Sequence, residues 1–292
     1  VAQRESRICV GLDPDPGRLW PEAHERVPAA GSAAQRAAAA VLAHCRAVID
    51  AVAPAVVAVK PQVACFERLG GPGWEALAAV AAHARSLGLL VVADGKRGDI
   101  DVSAAAYAQA FFGATPTPFG DVPGLGADAL TVSPYMGADT IAPLAAAARA
   151  AGAGLFVLVR TSNPGAADVE DLPAPDVPVW EHVAAMVAAL GDERPGPESG
   201  LADVGAVVGA TAPEHVARMR ELMPRAVFLL PGVGAQGGRV EDLAPAFAPG
   251  PAGGLITASR SIVRAHEAGG GSPAEAALAE ADRLRALAQD IA

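Results

Sequence analysis

Eight short apolar runs recur along the chain, set apart by alanine-heavy segments. They are Ile8–Asp13, Ala55–Gln62, Leu89–Lys96, Ala129–Tyr135, Leu155–Ser162, Gly205–Thr211, Val227–Val233 and Leu255–Ser261. Most are continuously apolar instead of alternating, which is how strands covered on both faces read. Helices are predicted between them over Ser32–Val52, Gly73–Leu87, Ser103–Phe112, Thr140–Ala151, Val179–Leu190, Pro213–Met223 and Glu241–Phe247, with Pro273–Gln289 closing the chain. Eight β-then-α units imply parallel strands with helical crossovers. They fit one α/β fold, the (β/α)8 barrel, whose usual size is about 250 residues. No stretch has the character of a domain linker, so a single domain over 1–292 is expected. The Pro/Gly-rich segments Gly113–Gly126, Asn163–Pro178 and Gly191–Gly200 read as elongated loops. Asn163–Pro178 follows a strand, which places it on the face where barrel enzymes keep their sites.

Nearly every run ends on its C-terminal side in a polar or glycine-rich signature: Asp13, Lys60, Asp94 with Lys96, Ser133, Thr161-Ser162-Asn163, Thr211, Gly232–Gly238, and Ser259-Arg260. In a barrel those ends converge on one mouth. A single Ser or Thr there is explained well enough by a strand giving way to a loop. Lys60 is not: it follows Val56-Val57-Ala58-Val59 and precedes Pro61, where an ammonium beside the core needs a partner. Asp94-x-Lys96-x-x-Asp99 supplies partners, so that two anions and two cations can alternate in space. By itself that hexapeptide reads as a solvated charged turn; Lys60 and the strand before it favour an array that holds its members charged.

A second constellation is Pro231-Gly232-Val233-Gly234-Ala235-Gln236-Gly237-Gly238, followed one run later by Ser259-Arg260-Ser261. Amides of a Gly-rich loop beside a guanidinium make a cradle for a dianion, and barrels often bind phosphate after strands seven and eight. Gly232-x-Gly234-x-x-Gly237 also imitates a dinucleotide fingerprint. A dinucleotide fold needs further strands, however, and only the helix Pro273–Gln289 follows the last run.

Composition narrows the partners. Hydrophobic residues make up 52% of the chain, yet no run of eighteen uncharged apolar residues occurs; the nearest, Ala37 to Val59, holds His44, Arg46, Asp50 and Pro54. No membrane association and no export segment are expected, with the cytoplasm as the default location. The formal charge of −10 disfavours a nucleic-acid surface while leaving an anionic small molecule open. Three cysteines, Cys9, Cys45 and Cys65, stand far apart and read as buried thiols. His24, His44, His83, His182, His215 and His266 lie outside every signature and are assigned no role.

Taken in order, Gly11-Leu12-Asp13, Val59-Lys60-Pro61, Asp94–Ile100, Thr131–Gly137, Thr161-Ser162-Asn163-Pro164, Pro231–Gly238 and Ser259-Arg260 resemble orotidine 5′-phosphate decarboxylase, particularly its longer bacterial subgroup. The resemblance covers most of the chain. It implies a (β/α)8 barrel that pairs into homodimers, and decarboxylation of orotidine 5′-phosphate to uridine 5′-phosphate (UMP) without cofactor or metal. It implies that Asp13 and Lys60 contact the ribose, that Asp94 lies beside the substrate carboxylate, and that Lys96 delivers a proton to C6. Asp99 would reach into the neighbouring subunit's site, with Ile100 and the Ser103 hydroxyl beside it. Ser133 would read the pyrimidine edge, while Gln236 and Arg260 would hold the 5′-phosphate. Many relatives carry Gly and Thr at the positions of Asp101 and Ser103; Ser103 keeps the hydroxyl, and Asp101 adds negative charge near a phosphate-bearing ligand.

Two alternatives stay open at this stage. Metal-dependent sugar-phosphate decarboxylases and aldolases of the wider superfamily share Asp-x-Lys-x-x-Asp, but with an acidic residue at the position of Lys60, because a divalent cation needs carboxylate oxygens. A nucleotide-binding barrel without turnover is the other.

Overall fold

In the computed structural model, which describes residues 1–291, the eight runs form a closed parallel barrel. The strands are β1 (Ile8–Leu12), β2 (Ala58–Pro61), β3 (Leu90–Arg97), β4 (Ala129–Val132), β5 (Gly154–Arg160), β6 (Val204–Val208), β7 (Phe228–Pro231) and β8 (Gly254–Ala258). Each pairs with its sequence neighbours, and β8 closes on β1 through Ile8↔Ile256, Cys9↔Thr257 and Val10↔Ala258. That closure removes the dinucleotide alternative: the Gly-rich loop after β7 leads into the last barrel strand, and no open sheet edge remains in the barrel.

The crossover helices are α1 (Ala33–Val52), α2 (Gly71–Ser86), α3 (Asp101–Phe111), α4 (Ala138–Ala150), α5 (Val179–Asp192), α6 (Pro213–Leu222) and, at the end, α7 (Pro273–Gln289). Between β7 and β8 the expected helix Glu241–Phe247 is a 3₁₀ helix with Pro245 inside it. Helix α1 starts on a capping box: Ser32 Oγ accepts from Gln35 N at 3.3 Å, and Gln35 Oε1 accepts from Ser32 N at 2.8 Å. Such a cap contributes about 1 kcal/mol. Its apolar stripe, Val41, Cys45, Val48, Ile49 and Val52, is fully buried. Helix α3 begins at Asp101 instead of Ser103, so Ser103 lies in the first turn of a helix and not at its cap. The Gly113–Gly126 segment is less open than a loop: Ala114–Thr115 pairs antiparallel with Val122–Pro123. All six histidines lie in helices. Cys9 and Cys45 are buried thiols, whereas Cys65 is half-buried. Among the described residues no helix is long and apolar enough to cross a membrane.

The barrel interior explains why the charged residues can lie where they do. One apolar side chain from every strand closes its floor: Cys9, Ala58, Val92, Ala129, Phe156, Val207, Leu229 and Leu255. Side chains of a strand alternate faces with period two, so the residue two places further along points inward again, one layer higher. On β2, β3, β4 and β8 that residue is Lys60, Asp94, Thr131 and Thr257. On β5 it is Leu158. The apolar floor therefore carries a polar layer on the C-terminal side, where strands hand over to loops.

Candidate active site

That polar layer opens into a cavity of about 570 Å³, lined by Asp13, Lys60, Asp94 and Lys96 together with Gly232, Gln236 and Arg260. Its centre is the Asp94 carboxylate, on β3 and 5% exposed. Lys60 Nζ donates to Oδ2 at 2.5 Å and Lys96 Nζ to Oδ1 at 2.6 Å. Thr131 Oγ1 donates to Oδ1 at 2.9 Å, and Gln62 Nε2 to Oδ2 at 3.2 Å. Four donors thus saturate one carboxylate. Burial alone would raise the pKa of Asp94; the charges and hydrogen bonds of Lys60 and Lys96 outweigh it and hold the carboxyl at about 2. Lys60 shows the converse. Burial opposes its charge, yet Asp94 and Asp13 keep its ammonium protonated and raise its pKa.

The two lysines differ in environment. The Lys60 side chain is enclosed, whereas that of Lys96 is 46% exposed and stands at the cavity mouth. Lys96 also has a left-handed backbone, at φ 45°, a conformation that costs a non-glycine residue of order 1 kcal/mol or more. The cost is met locally: Lys96 N donates to Thr131 Oγ1 at 2.9 Å, and the ladder between β3 and β4 shifts register between Ala93 and Arg97. Thr131 therefore supports both members, donating to Asp94 and accepting from Lys96. Past Lys96 the chain turns Arg97 away from the cavity, where it pairs with Glu67 and lies over the rings of Tyr107 and Phe111. Of the charges in Asp94–Asp99, two enter the site and Arg97 braces the outside of the barrel.

Asp99 does not join the array within its own chain. It lies off the cavity, and its carboxylate accepts from the Ile100 amide at 2.8 Å. Ile100 and Ser103 are exposed and also lie outside the cavity. Ser133 does not line it either; its hydroxyl accepts from Tyr135 N at 3.4 Å. Asp13, Gln236 and Arg260 do face the cavity.

At the opposite rim the loop after β7 folds back on itself through Gly237 N to Gly234 O, Gly234 N to Gly238 O, and Gly238 N to Gly232 O. Gly232, Gly234 and Gly237 take φ of 102°, 76° and 94°, which glycine adopts without strain. Close approach is enforced on β1 as well: a Cβ on Gly11 would sit 1.7 Å from Ser259 Oγ. Gly11 thus lets the β8 end, with Arg260, lean over the mouth.

Sequence reasoning assigned no role to several residues the cavity exposes. Gln62 follows the end of β2 and bridges to Asp94. Thr131 carried a signal, being a hydroxyl inside an otherwise apolar run. Glu170 had none: only the folding back of Asn163–Pro178 brings its carboxylate to Thr161 N at 2.8 Å, while Asp171 pairs with Arg160. Among the described residues no group of three or more His, Cys, Asp or Glu side chains is placed to hold a metal ion. The dominant cations of the site are lysine ammoniums.

Comparison with known proteins agrees with this geometry. The family described as orotidine 5′-phosphate decarboxylase / HUMPS matches residues 6–274. The chain is 45% identical to orotidine 5′-phosphate decarboxylase of Deinococcus radiodurans, over 96% of this chain and 92% of that one. It is 42% identical to that of Rhodopirellula baltica, over 91% and 86%. Among solved structures, OMP decarboxylase of Leishmania donovani superposes with a TM-score of 0.71 at 33% identity, covering 99% of this chain and 97% of that one. With its closed eight-stranded barrel and a family match over nearly its whole length, the chain belongs to the orotidine 5′-phosphate decarboxylase / HUMPS family.

Proposed function

We propose that this protein decarboxylates orotidine 5′-phosphate to UMP, acting as one (β/α)8 unit per subunit and using its own side chains alone. The observation that carries the reading is the sharing of one buried carboxylate, Asp94, by the ammoniums of Lys60 and Lys96, opposite a Gly-rich loop and Arg260. The phosphate goes to that loop, with Gln236 and the Arg260 guanidinium as its donors. This orientation carries the pyrimidine across the mouth to β3. Asp13 and Lys60 lie between the two ends and meet the sugar.

Chemistry follows from placing C6 at Lys96. The bond from C6 to the carboxylate breaks, its electron pair stays on C6, and carbon dioxide leaves. The carbanion is poorly delocalised, so a fixed ammonium beside it stabilises charge that grows only in the transition state. Lys96 then gives one proton to C6 and regains one from solvent. Asp94 holds that ammonium in place and, ionised, also faces the departing carboxylate. A metal has no role in this scheme: at the position where a divalent cation would need an oxygen ligand, Lys60 presents an ammonium.

The active form is proposed to be a homodimer in which Asp99 of each chain completes the other's site, with Ile100 and Ser103 beside it. Supporting this, Asp99 stands off its own cavity, and the chain after it presents Val102 at 83% exposure, with Tyr135 at 89% after β4. These side chains offer apolar surface for a partner subunit to cover.

The test uses purified protein treated with chelator and then supplied with orotidine 5′-phosphate, following loss of the substrate's ultraviolet absorbance. Turnover in the presence of EDTA, abolished in Lys96→Ala while UMP still binds, is expected. Activity that requires added divalent metal, or parent protein that binds UMP without turnover, would overturn the reading.

A further inference from the structure

The polar layer above the barrel floor contains one hydroxyl that the scheme above leaves unused. Thr257 lies on β8, 4% exposed, and lines the cavity, in register with Pro231 of β7. The other polar side chains of its layer are joined to one another: Lys60 and Thr131 both donate to Asp94. Thr257 Oγ1 has no hydrogen-bond partner of normal geometry among the described residues. Its neighbour across the ladder is Cys9, whose thiol burial pushes up to about 12 against the opposing pull of Lys60 and of the contact that the thiol makes with the Thr257 hydroxyl. That thiol stays a neutral S–H, a weak partner for a hydroxyl.

A buried hydroxyl without a partner costs stability, and valine has nearly the same shape without that cost. On the β6 and β7 side the cavity is lined by apolar floor residues, Val207 and Leu229. Thr257 therefore lacks the side chain that packing alone would favour, and such departures mark positions where binding, not folding, sets the residue. Its place in the cavity says what it would meet. β8 ends in Arg260, the proposed phosphate donor, three residues further on, and Lys60 lies across β1 from it. The part of a nucleotide that spans from Arg260 to Lys96 over this point is the nucleoside, not the phosphate.

We infer that Thr257 is a nucleoside-binding residue, whose hydroxyl receives its missing hydrogen bond from the sugar or the base of the bound nucleotide. The inference rests on the proposed orientation of the nucleotide in the cavity. The hydroxyl is satisfied only in the complex, so its contribution appears as affinity and not as stability of the free protein. Bound equally in ground and transition states, it acts on KM more than on kcat.

The experiment compares parent, Thr257→Val, Thr257→Ser and Thr257→Ala by titration with UMP and with ribose 5-phosphate, by steady-state kinetics, and by thermal unfolding without ligand. Thr257→Val is expected to weaken UMP binding and raise KM about three- to tenfold, as for loss of one neutral hydrogen bond, with kcat changed by less than about twofold. Its unfolding temperature stays at or above that of the parent. Thr257→Ser, which keeps the hydroxyl, restores affinity; Thr257→Ala carries the same readout should the valine variant fail to fold. Equal weakening toward ribose 5-phosphate identifies the sugar as the partner, and weakening toward UMP alone identifies the base. UMP binding that is the same in parent and in both hydroxyl-free variants overturns the inference, as does a serine variant no better than valine. A parent that binds no UMP overturns the functional reading itself, and the role of Thr257 with it.

Discussion

Lys60 and Lys96 reach the two different oxygens of a single carboxylate, Asp94, from adjacent strands, one enclosed by the barrel and the other half-exposed at its mouth. The pair therefore divides its labour. Lys60 fixes the charge and position of Asp94, and Lys96 is the ammonium a substrate can touch.

Removing the two lysines should accordingly have different consequences. Lys60→Ala leaves a buried carboxylate with only a half-exposed cation, and a loss of stability on the order of 3 kcal/mol is expected from breaking a buried pair. Lys96→Ala should cost no more than about 1 kcal/mol, because much of its charge is screened by water. Both should lose at least about a thousandfold in kcat, the first through misplaced charge and the second through the missing proton donor. Denaturant unfolding beside the absorbance assay separates the effects; equal destabilisation by the two variants would contradict the division.

Mixing inactive Lys96→Ala with inactive Asp99→Ala should restore activity. In a mixed dimer, the site of the Asp99→Ala chain keeps its own Lys96 and receives Asp99 from the other chain. Random exchange makes half of the dimers mixed and repairs one of the two sites in each, so about a quarter of parental activity is expected. No recovery after verified subunit exchange would remove Asp99 from the partner's site.

Acid should destabilise the protein in two separate windows. His44 is buried on α1, with Nδ1 accepting from Trp20 N at 3.1 Å. Burial, then the charges of Arg264, His24 and His266, push it from 6.5 down to about 4. A base whose folded pKa is depressed contributes stability present above its unfolded pKa and lost as the pH falls, here between 6.5 and about 4, on the order of 3 kcal/mol. Asp94, lowered from 3.8 to about 2, contributes on the order of 2 kcal/mol that is lost only between those lower values. Thermal unfolding of His44→Leu should be flatter than the parent from pH 6.5 to 4 and equally steep below. Parallel curves throughout would rule His44 out.

Glu170 should tune the loop after β5. Its carboxylate accepts from both Thr161 N and Thr161 Oγ1, while Asn163 Oδ1 lies 2.7 Å from the same hydroxyl. The threonine has one hydroxyl hydrogen; given to Glu170, it leaves Asn163 to present its NH₂ group to Thr161. Glu170→Gln puts a donor where an acceptor is needed. A severalfold rise in KM is expected, since the loop lines the cavity, together with faster proteolytic cleavage within residues 163–178. Unchanged cleavage and KM would show the loop to be held by Arg160 and Asp171 alone.

What the chain alone determined is considerable, and the reason is periodicity. Continuous apolar runs with helical spacing between them require a parallel sheet wrapped in helices, and eight such units close into a barrel. Polar strand ends located the mouth, and Lys60, a cation straight after four apolar residues, identified the buried charge. Three-dimensional packing decided the rest. Inward direction is a matter of parity along a strand: Asp94 and Lys96 enter the cavity, Arg97 leaves it, and Thr131 and Thr257 become polar members of one layer only when strands far apart in the chain stand in register. Glu170 acquired its place from the return of a long loop, which no local pattern encodes. Where Asp99 stands, off its own cavity and beside exposed Ile100 and Val102, could not be read from spacing, because spacing describes one chain while the orientation of a loop depends on everything packed beneath it.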